Sequence, residues 1–597
     1  MTAAHVEVSG LTIAVRTPDG ERRIVDDVSF AIPRGEVLAL VGESGSGKTT
    51  IALALLGHTR FGARIAGGTI RIGETRVDQL DGAGLAALRG RRVSYVAQSA
   101  AAAFNPSRPI MAQVIEPLLV HRLATRAEAE ARAVALFRAL ALPFPDEIGL
   151  RYPHQVSGGQ LQRLMAAMAL ITGPELVVLD EPTTALDVTT QVDVLRAFKR
   201  ALAMTGATAI YVSHDLAVVA QMADRIAVLN GGQLIEEGPA ADLLAGPHSD
   251  YARTLFAAAR PKADAARPAP GDTVLAVTDV VAGYGRVREG LPAIPVIDQV
   301  SFALRRGEAL GVIGESGSGK STLARVIAGL LPAAQGEIAL SGKVLPKALS
   351  DRSREQLRRV QLVFQNADTA LNPAQRVGEI IARPLALFHG LTGAAAEARV
   401  GELLDLIRLP RDLATRRSTE LSGGQKQRVN LARALAAEPD VLLCDEVTSA
   451  LDTVVGATIL KLIDELRQRL GFATVFISHD ISTVRAFCDH VLVLYGGTAV
   501  EQASRAGFAR GPHHPYTRLL LDSVPTMERG WLERQPPREA LLRDGGAGLC
   551  RFLPRCPLAV QGTCDRVAVP LQSDDGHAWL CHRSLADLAA DEGEPAR

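Results

Sequence analysis

No run of eighteen apolar residues occurs anywhere in this chain. A helix that crosses a bilayer needs about 20, and stretches such as LMAAMALITG are too short. The N-terminus, MTAAHVEVSGLTIAV, has no basic start followed by a continuous apolar stretch, so no signal peptide is expected. Charge of one sign is lacking too. Sixty-five Lys and Arg face 65 Asp and Glu, which removes any global electrostatic reason to bind nucleic acid or an anionic membrane. Cysteine is scarce, with six in 597 residues. Together these absences predict a soluble, cytosolic chain, in which a cysteine cluster reads as a metal site before a disulfide framework.

What is present is an ordinary globular composition, 47% hydrophobic and 22% charged, in a chain too long for one core. The chain is written twice. VGESGSGKTT at 41–50 recurs as IGESGSGKST at 313–322, and VSGGQLQR at 156–163 as LSGGQKQR at 421–428. LVVLDEPTTALD at 176–187 recurs as VLLCDEVTSALD at 441–452, and YVSHD at 211–215 as FISHD at 476–480. The offset is 265 between Ser157 and Ser422, between Asp180 and Asp445, and between His214 and His479. Two homologous domains are therefore expected, at 1–256 and 273–510. The Ala- and Pro-rich stretch 257–272 reads as their linker, and 511–597 as a smaller segment that holds four cysteines.

Both glycine-rich stretches fit G-x-x-x-x-G-K-[ST]. They are Gly42, Glu43, Ser44, Gly45, Ser46, Gly47, Lys48 and Thr49, followed by Thr50, and Gly314, Glu315, Ser316, Gly317, Ser318, Gly319, Lys320 and Ser321, followed by Thr322. Each follows an apolar strand pattern, EVLALV or EALGVI, and precedes a helical one, which is the context of a P-loop. Backbone N–H groups curl round phosphates there, and the helix N-terminus adds its positive dipole end. Lys48 and Lys320 are placed to reach the β- and γ-phosphates, and Thr49 and Ser321 to offer hydroxyls to Mg2+. Asp180 and Asp445 end buried-strand runs and would hold Mg2+. Glu181 and Glu446 follow them and would polarise the attacking water. Acids at an exposed strand end would explain one such pair but not two.

With SGGQ between P-loop and acidic strand, and SHD downstream, the chain resembles the ATP-binding cassette ATPases. That resemblance implies two tandem α/β domains, each a mainly parallel sheet with helices, an antiparallel β-layer and a helical arm carrying SGGQ. It implies cassettes packed head to tail, each ATP shared between one P-loop and the other signature. One site would join Lys48, Glu181 and His214 to Ser422, Gly423, Gly424 and Gln425. The other would join Lys320, Glu446 and His479 to Ser157, Gly158, Gly159 and Gln160. Gln98 and Gln365 match the Q-loop glutamine that senses Mg2+, and His214 and His479 the switch histidine. Tyr284 matches the aromatic that stacks on adenine; its counterpart in LTIAVRT is Val15, which offers no π-surface. QSAAAAFNP and QNADTALNP also depart from the QDP often found after the Q-loop.

RYPHQVSGGQ, GPHHPYTRLLLDSVP at 511–525 and its weaker copy GPHSDYARTLFAAAR at 246–260 resemble the oligopeptide/dipeptide/nickel import group. So does CRFLPRCPLAVQGTC with a fourth cysteine beyond. The resemblance implies two fused ATPase subunits of a peptide importer, with separate membrane permeases, an extracytoplasmic solute-binding protein and no nucleic-acid partner. It places the chain on the cytoplasmic face of the membrane, peripheral through those permeases. Nickel or metal chelates and glutathione are the alternative solutes. The rival outside transport is a twin-cassette ATPase acting on ribosomes, against which stand the short linker and the zero net charge.

Cys550, Cys556, Cys564 and Cys581 have neither a C-x-x-C knuckle nor a standard ferredoxin spacing. An iron–sulfur cluster, zinc, and disulfides or plain thiols all stand as readings of the residues. The resemblance to import ATPases whose tails carry a [4Fe–4S] cluster favours the first. His577 and His582 are alternative ligands. Cys444 and Cys488, in apolar runs, read as core.

Overall fold

The computed structural model describes residues 4–17, 20–184, 186–259, 271–449, 451–536 and 548–592. Residues 260–270, most of the expected linker, lie outside the described residues. The chain forms two compact units, Met1–Arg260 with Pro525–Gln535, and Pro261–Val524 with Pro536–Arg597.

In the first unit the antiparallel layer runs in the order Gly20–Pro33, Ala4–Thr17, Ala63–Ile72, Thr75–Arg76. The larger sheet runs Gln233–Pro239, Arg225–Asn230, Val37–Val41, Thr208–Val212, Leu176–Asp180, Val93–Val96. Its five strands from Arg225–Asn230 onward pair in parallel. Val37–Val41, Leu176–Asp180 and Thr208–Val212 are buried at every position. Parallel strands covered on both faces are uniformly apolar in this way. One face packs with the antiparallel layer and the P-loop helix Lys48–Ala54. The other carries the helical arm, from Ile110–Val114 and Arg126–Ala139 to Gly158–Leu170.

Val37–Val41, which leads into the P-loop, and Leu176–Asp180, which ends in the acidic pair, lie on either side of Thr208–Val212. The turn from strand to P-loop demands glycine. A Cβ on Gly42, at φ 148°, would lie 2.1 Å from the Leu229 carbonyl oxygen, and Gly314 repeats this against Leu494 at 2.2 Å.

The second unit repeats the plan and extends it. Its sheet runs Val360–Val363, Val441–Asp445, Ala473–Ile477, Ala309–Ile313, His490–Tyr495, Thr498–Ser504, His577–Leu580, Leu571–Asp574. The last two strands come from the cysteine segment, joined through the pairs Glu501–Trp579 and Gln502–Ala578.

Residues 525–535 fold with the first unit. Trp531 and Leu532 are buried in its core. Gln221 Nε2 donates to the carbonyls of Thr526 and Glu528, 2.8 Å each, and its Oε1 accepts the Leu532 N–H at 3.1 Å. Lys199 pairs with Glu533 at 2.5 Å. Among the described residues no helix is long and apolar enough to cross a membrane.

Candidate nucleotide sites and cysteine cavity

Each P-loop lysine begins a helix, Lys48–Ala54 or Lys320–Ile327, after a left-handed glycine. Lys48 Nζ donates to the carbonyls of Gly42 and Glu43 at 2.8 and 2.7 Å. Lys320 does the same to Gly314 and Glu315 at 2.7 and 2.8 Å. The next hydroxyl reaches the acidic strand end. Thr49 Oγ1 donates to Asp180 at 3.1 Å and Ser321 Oγ to Asp445 at 2.9 Å. The two groups expected to share Mg2+ are thus brought together in each unit. Burial pushes both aspartates above the usual carboxylate range.

Glu181 and Glu446 hold φ of 48° and 50°, in the left-handed region that non-glycine residues rarely enter. Their N–H groups donate to Val212 and Ile477, the ends of the neighbouring strands, at 2.9 and 3.0 Å. Strain of this kind persists where surroundings over-determine it, commonly at functional sites. Gln98 Nε2 donates to Glu181 at 3.0 Å, Thr184 Oγ1 at 3.2 Å, and His214 Nδ1 lies 3.2 Å away. Gln365 donates to Glu446 at 2.5 Å and His479 Nδ1 is 3.6 Å away. Burial alone would raise both glutamates, but the histidine's hydrogen bond and charge, joined by the charge of the P-loop lysine and a further side-chain hydrogen bond, hold them below the ordinary value. The histidines move oppositely. Burial disfavours their charged form, yet the partner carboxylate raises them. Glutamine, glutamate and histidine therefore form one network in each unit.

Ser157 and Ser422 are N-caps, each accepting an N–H from the Gln three residues on, in reciprocal capping boxes. The Ser-Gly pairs at 157–158 and 422–423 are exposed, so these helix N-termini face solvent within their own units. Gly159 and Gly424 pack closely instead, since a Cβ would meet Thr190 at 2.1 Å or Val455 at 2.6 Å.

Tyr284 is 39% exposed, and its hydroxyl lies 3.3 Å from Thr322 Oγ1, at the start of the P-loop helix. Arg325 donates to the same hydroxyl at 3.2 Å. Val15 pairs with Arg22 where Tyr284 pairs with Ile294, so the two occupy equivalent register positions. Sequence reasoning missed a second inequivalence. Tyr95 OH donates to Asp180 at 2.7 Å, whereas the equivalent strand position in the second unit is Leu362. No repeat signalled it, because only one copy carries the tyrosine.

The stretch GPHHPYT was also unexplained by motif logic. The Glu501 side chain is fully buried. It accepts from His513 Nδ1 at 2.9 Å, His577 Nε2 at 3.0 Å and His514 N–H at 2.8 Å. Burial would raise it, but these donors hold it down at about 2. His577, considered above as a metal ligand, is engaged here. In the first unit Glu236 accepts the N–H groups of His248 and Ser249, both at 2.9 Å, so the weaker copy keeps the same turn.

Cys550, Cys556, Cys564 and Cys581 line one cavity with His514 and His582. Burial pushes the Cys550 and Cys581 thiols up, and Cys556 to about 12. The buried His582 Nε2 has no hydrogen-bond partner. Among the described residues, no group of three or more His, Cys, Asp or Glu is arranged to hold a metal ion. The four thiols and the His582 imidazole nitrogen thus line one small cavity without forming a metal-holding arrangement. Cys444 and Cys488 are fully buried in the core.

The family described as ABC transporter matches residues 25–184 and 297–449. That described as oligopeptide/dipeptide transporter, C-terminal region, matches 500–564. The chain is 36% identical over 581 residues to the glutathione import ATP-binding protein GsiA of Salmonella choleraesuis (strain SC-B67), across 90% of this chain and 92% of that one. It is also 36% identical over 580 residues to the protein of that name from Escherichia coli (strain K12), with the same shares covered. A solved structure of cbiO1 from Clostridium perfringens, part of the ABC transporter complex cbiONQ, is 29% identical over 40% of this chain and 92% of its own, with a TM-score of 0.35.

Proposed function

Because the chain belongs to the ABC transporter ATP-binding proteins, with two cassettes and the C-terminal region of oligopeptide/dipeptide transporters, we propose that it is the motor of a peptide importer. As a member of that family it is an ATPase that works with ATP and Mg2+. The observation that carries the peptide reading is the matched segment 500–564, whose HPYT stretch packs round Glu501. Glutathione, itself a tripeptide, is the second reading, favoured by the name of relatives 36% identical across nearly the whole chain.

Lys48 and Lys320 draw in the phosphates, and Thr49 with Asp180, or Ser321 with Asp445, holds Mg2+. Glu181 and Glu446, kept ionised by His214 and His479, orient and polarise the attacking water. The solvent-facing N-termini at Ser157 and Ser422 suit an anionic partner. ATP binding closes the cassettes and hydrolysis reopens them. Two membrane permeases convert that cycle into transport at the cytoplasmic face, and an extracytoplasmic binding protein delivers the solute.

Uptake tests this reading. Deleting the gene is expected to abolish import of labelled peptides, glutathione among them, and the intact chain to restore it where Lys48→Ala/Lys320→Ala does not. Peptide uptake that survives deletion while nickel uptake fails would overturn the solute. No transport defect would count for the ribosomal rival.

The four thiols, in the same reading, hold a [4Fe–4S] cluster that ties the 550–564 loop to the strand His577–Leu580 and supplies folding energy a short segment lacks. Chain purified without oxygen should carry about four iron and four sulfide per molecule; one zinc and no sulfide would refute the cluster.

A further inference from the structure

The cysteine loop reaches beyond its own small fold to the second cassette. Residues 550–556 read CRFLPRC, and the 3-10 turn Leu553–Arg555 carries Arg555 to the P-loop of the second cassette. Its guanidinium donates two parallel hydrogen bonds to the Glu315 carboxylate, at 2.7 and 2.9 Å. It lies 5.9 Å from the Tyr495 ring and 5.8 Å from that of Phe552, within cation–π range. Both rings pack on Tyr516, with centroids 4.5 and 5.4 Å away. The Tyr516 hydroxyl accepts the Glu315 N–H at 2.8 Å. Glu315 is thus gripped at its carboxylate and at its N–H by residues outside the repeated cassette motifs. Nearby, Arg551 donates to the Gly496 carbonyl, and the Gly497 N–H donates to Ser318 of the same P-loop at 3.1 Å.

The first cassette has only part of this. Tyr251 OH accepts the Glu43 N–H at 3.2 Å. Asn230 ends the strand that Tyr495 ends in the second unit, and the sequence holds no second CRFLPRC loop.

We propose that Arg555 is a positioning residue for the second ATP site: it fixes the P-loop through Glu315 and cancels that carboxylate's charge, so that the C-terminal segment sets MgATP affinity there. This rests on the assignment of Lys320, Ser321 and Glu446 to an ATP site. The physical basis has two parts. A triphosphate is repelled by a free carboxylate one residue into its binding loop, and a bidentate guanidinium removes that repulsion. A loop already held in its binding shape also loses less freedom when the nucleotide arrives.

The test uses the full chain with Lys48→Ala, so that binding of the fluorescent analogue mant-ATP with Mg2+ reports the second site. Arg555→Gln is expected to raise Kd about tenfold, but less than about twofold when Glu315→Gln is already present. Arg555→Lys, which keeps the charge but loses the bidentate fork, is expected to fall between the parent and Arg555→Gln. An equal loss with and without Glu315 overturns the proposal, because the arginine would then act on the fold at large. Should Arg555→Gln lower the melting temperature, the Glu315→Gln background decides: a loss of affinity that vanishes there supports the pair, and one that persists sinks it. Lys320→Ala separates the two levels. If it leaves binding intact, the site assignment itself fails. If it weakens binding and Arg555→Gln does not, only the role of Arg555 fails.

Discussion

Replacing Glu181 and Glu446 together by glutamine should lower ATP turnover by at least about 100-fold while leaving ATP binding in place, the range expected when a general base is lost. Glutamine keeps the size of the side chain and can still receive the hydrogen bonds of Gln98 and Thr184, or of Gln365. What it loses is the negative charge that draws a proton from water and pairs with His214 or His479. Each single variant should lose most of its own site's turnover; near-normal activity in one would identify that site as unproductive. The histidines give an independent check. They are the strongest of the groups that hold the glutamates low against burial, ahead of the P-loop lysines, so without them the carboxyl pKa rises. His214→Ala/His479→Ala should therefore move the acid limb of the rate profile to higher pH, by about one pH unit. An unmoved limb would remove the histidines from the network.

The largest effect on stability is expected at Glu501→Gln. A buried carboxylate whose partners remain buried is costly to remove, about 3–5 kcal/mol. Linkage gives a similar figure. The folded carboxyl sits at about 2 against an ordinary 4.5, which corresponds to about 3 kcal/mol. The pKa is depressed, so this stability is fully present above pH 4.5 and disappears as pH falls toward 2. The amide of glutamine would also turn N–H groups toward the donors of His513 and His577. Trp579, paired with Glu501 across the strands, reports the event by fluorescence once Trp531 is changed to Phe. An unchanged urea midpoint for the tail would show that the Glu501 cluster is not what holds it.

The ATP sites were legible because their chemistry is local. A P-loop is eight successive residues whose strand and helix flanks can be read from periodicity, and Asp180–Glu181 announces itself by ending a buried run. The second copy, 265 residues on, turned each pattern into a pair. What stayed hidden acts at long range or in one copy only. Tyr95 touches Asp180 across two strands, and Leu362 offers no echo of it. Arg555 stands inside a cysteine motif, so spacing drew attention to the thiols and away from a guanidinium aimed at Glu315, 240 residues earlier. HPYT could be recognised as a stretch but not understood, because its Tyr516 contact to the P-loop N–H follows only from the folded backbone.

Residues 525–535 have a consequence for synthesis. A domain at the front of a chain ordinarily folds as soon as it clears the ribosome. Here the first unit reaches residue 260 without Trp531 and Leu532, which complete its core. They follow about 270 residues later, a wait of roughly 14–54 s at about 5–20 residues per second. Until then the apolar surface beside Gln221 has no cover, and the nascent first cassette carries a sticky face that only the end of its own message can close.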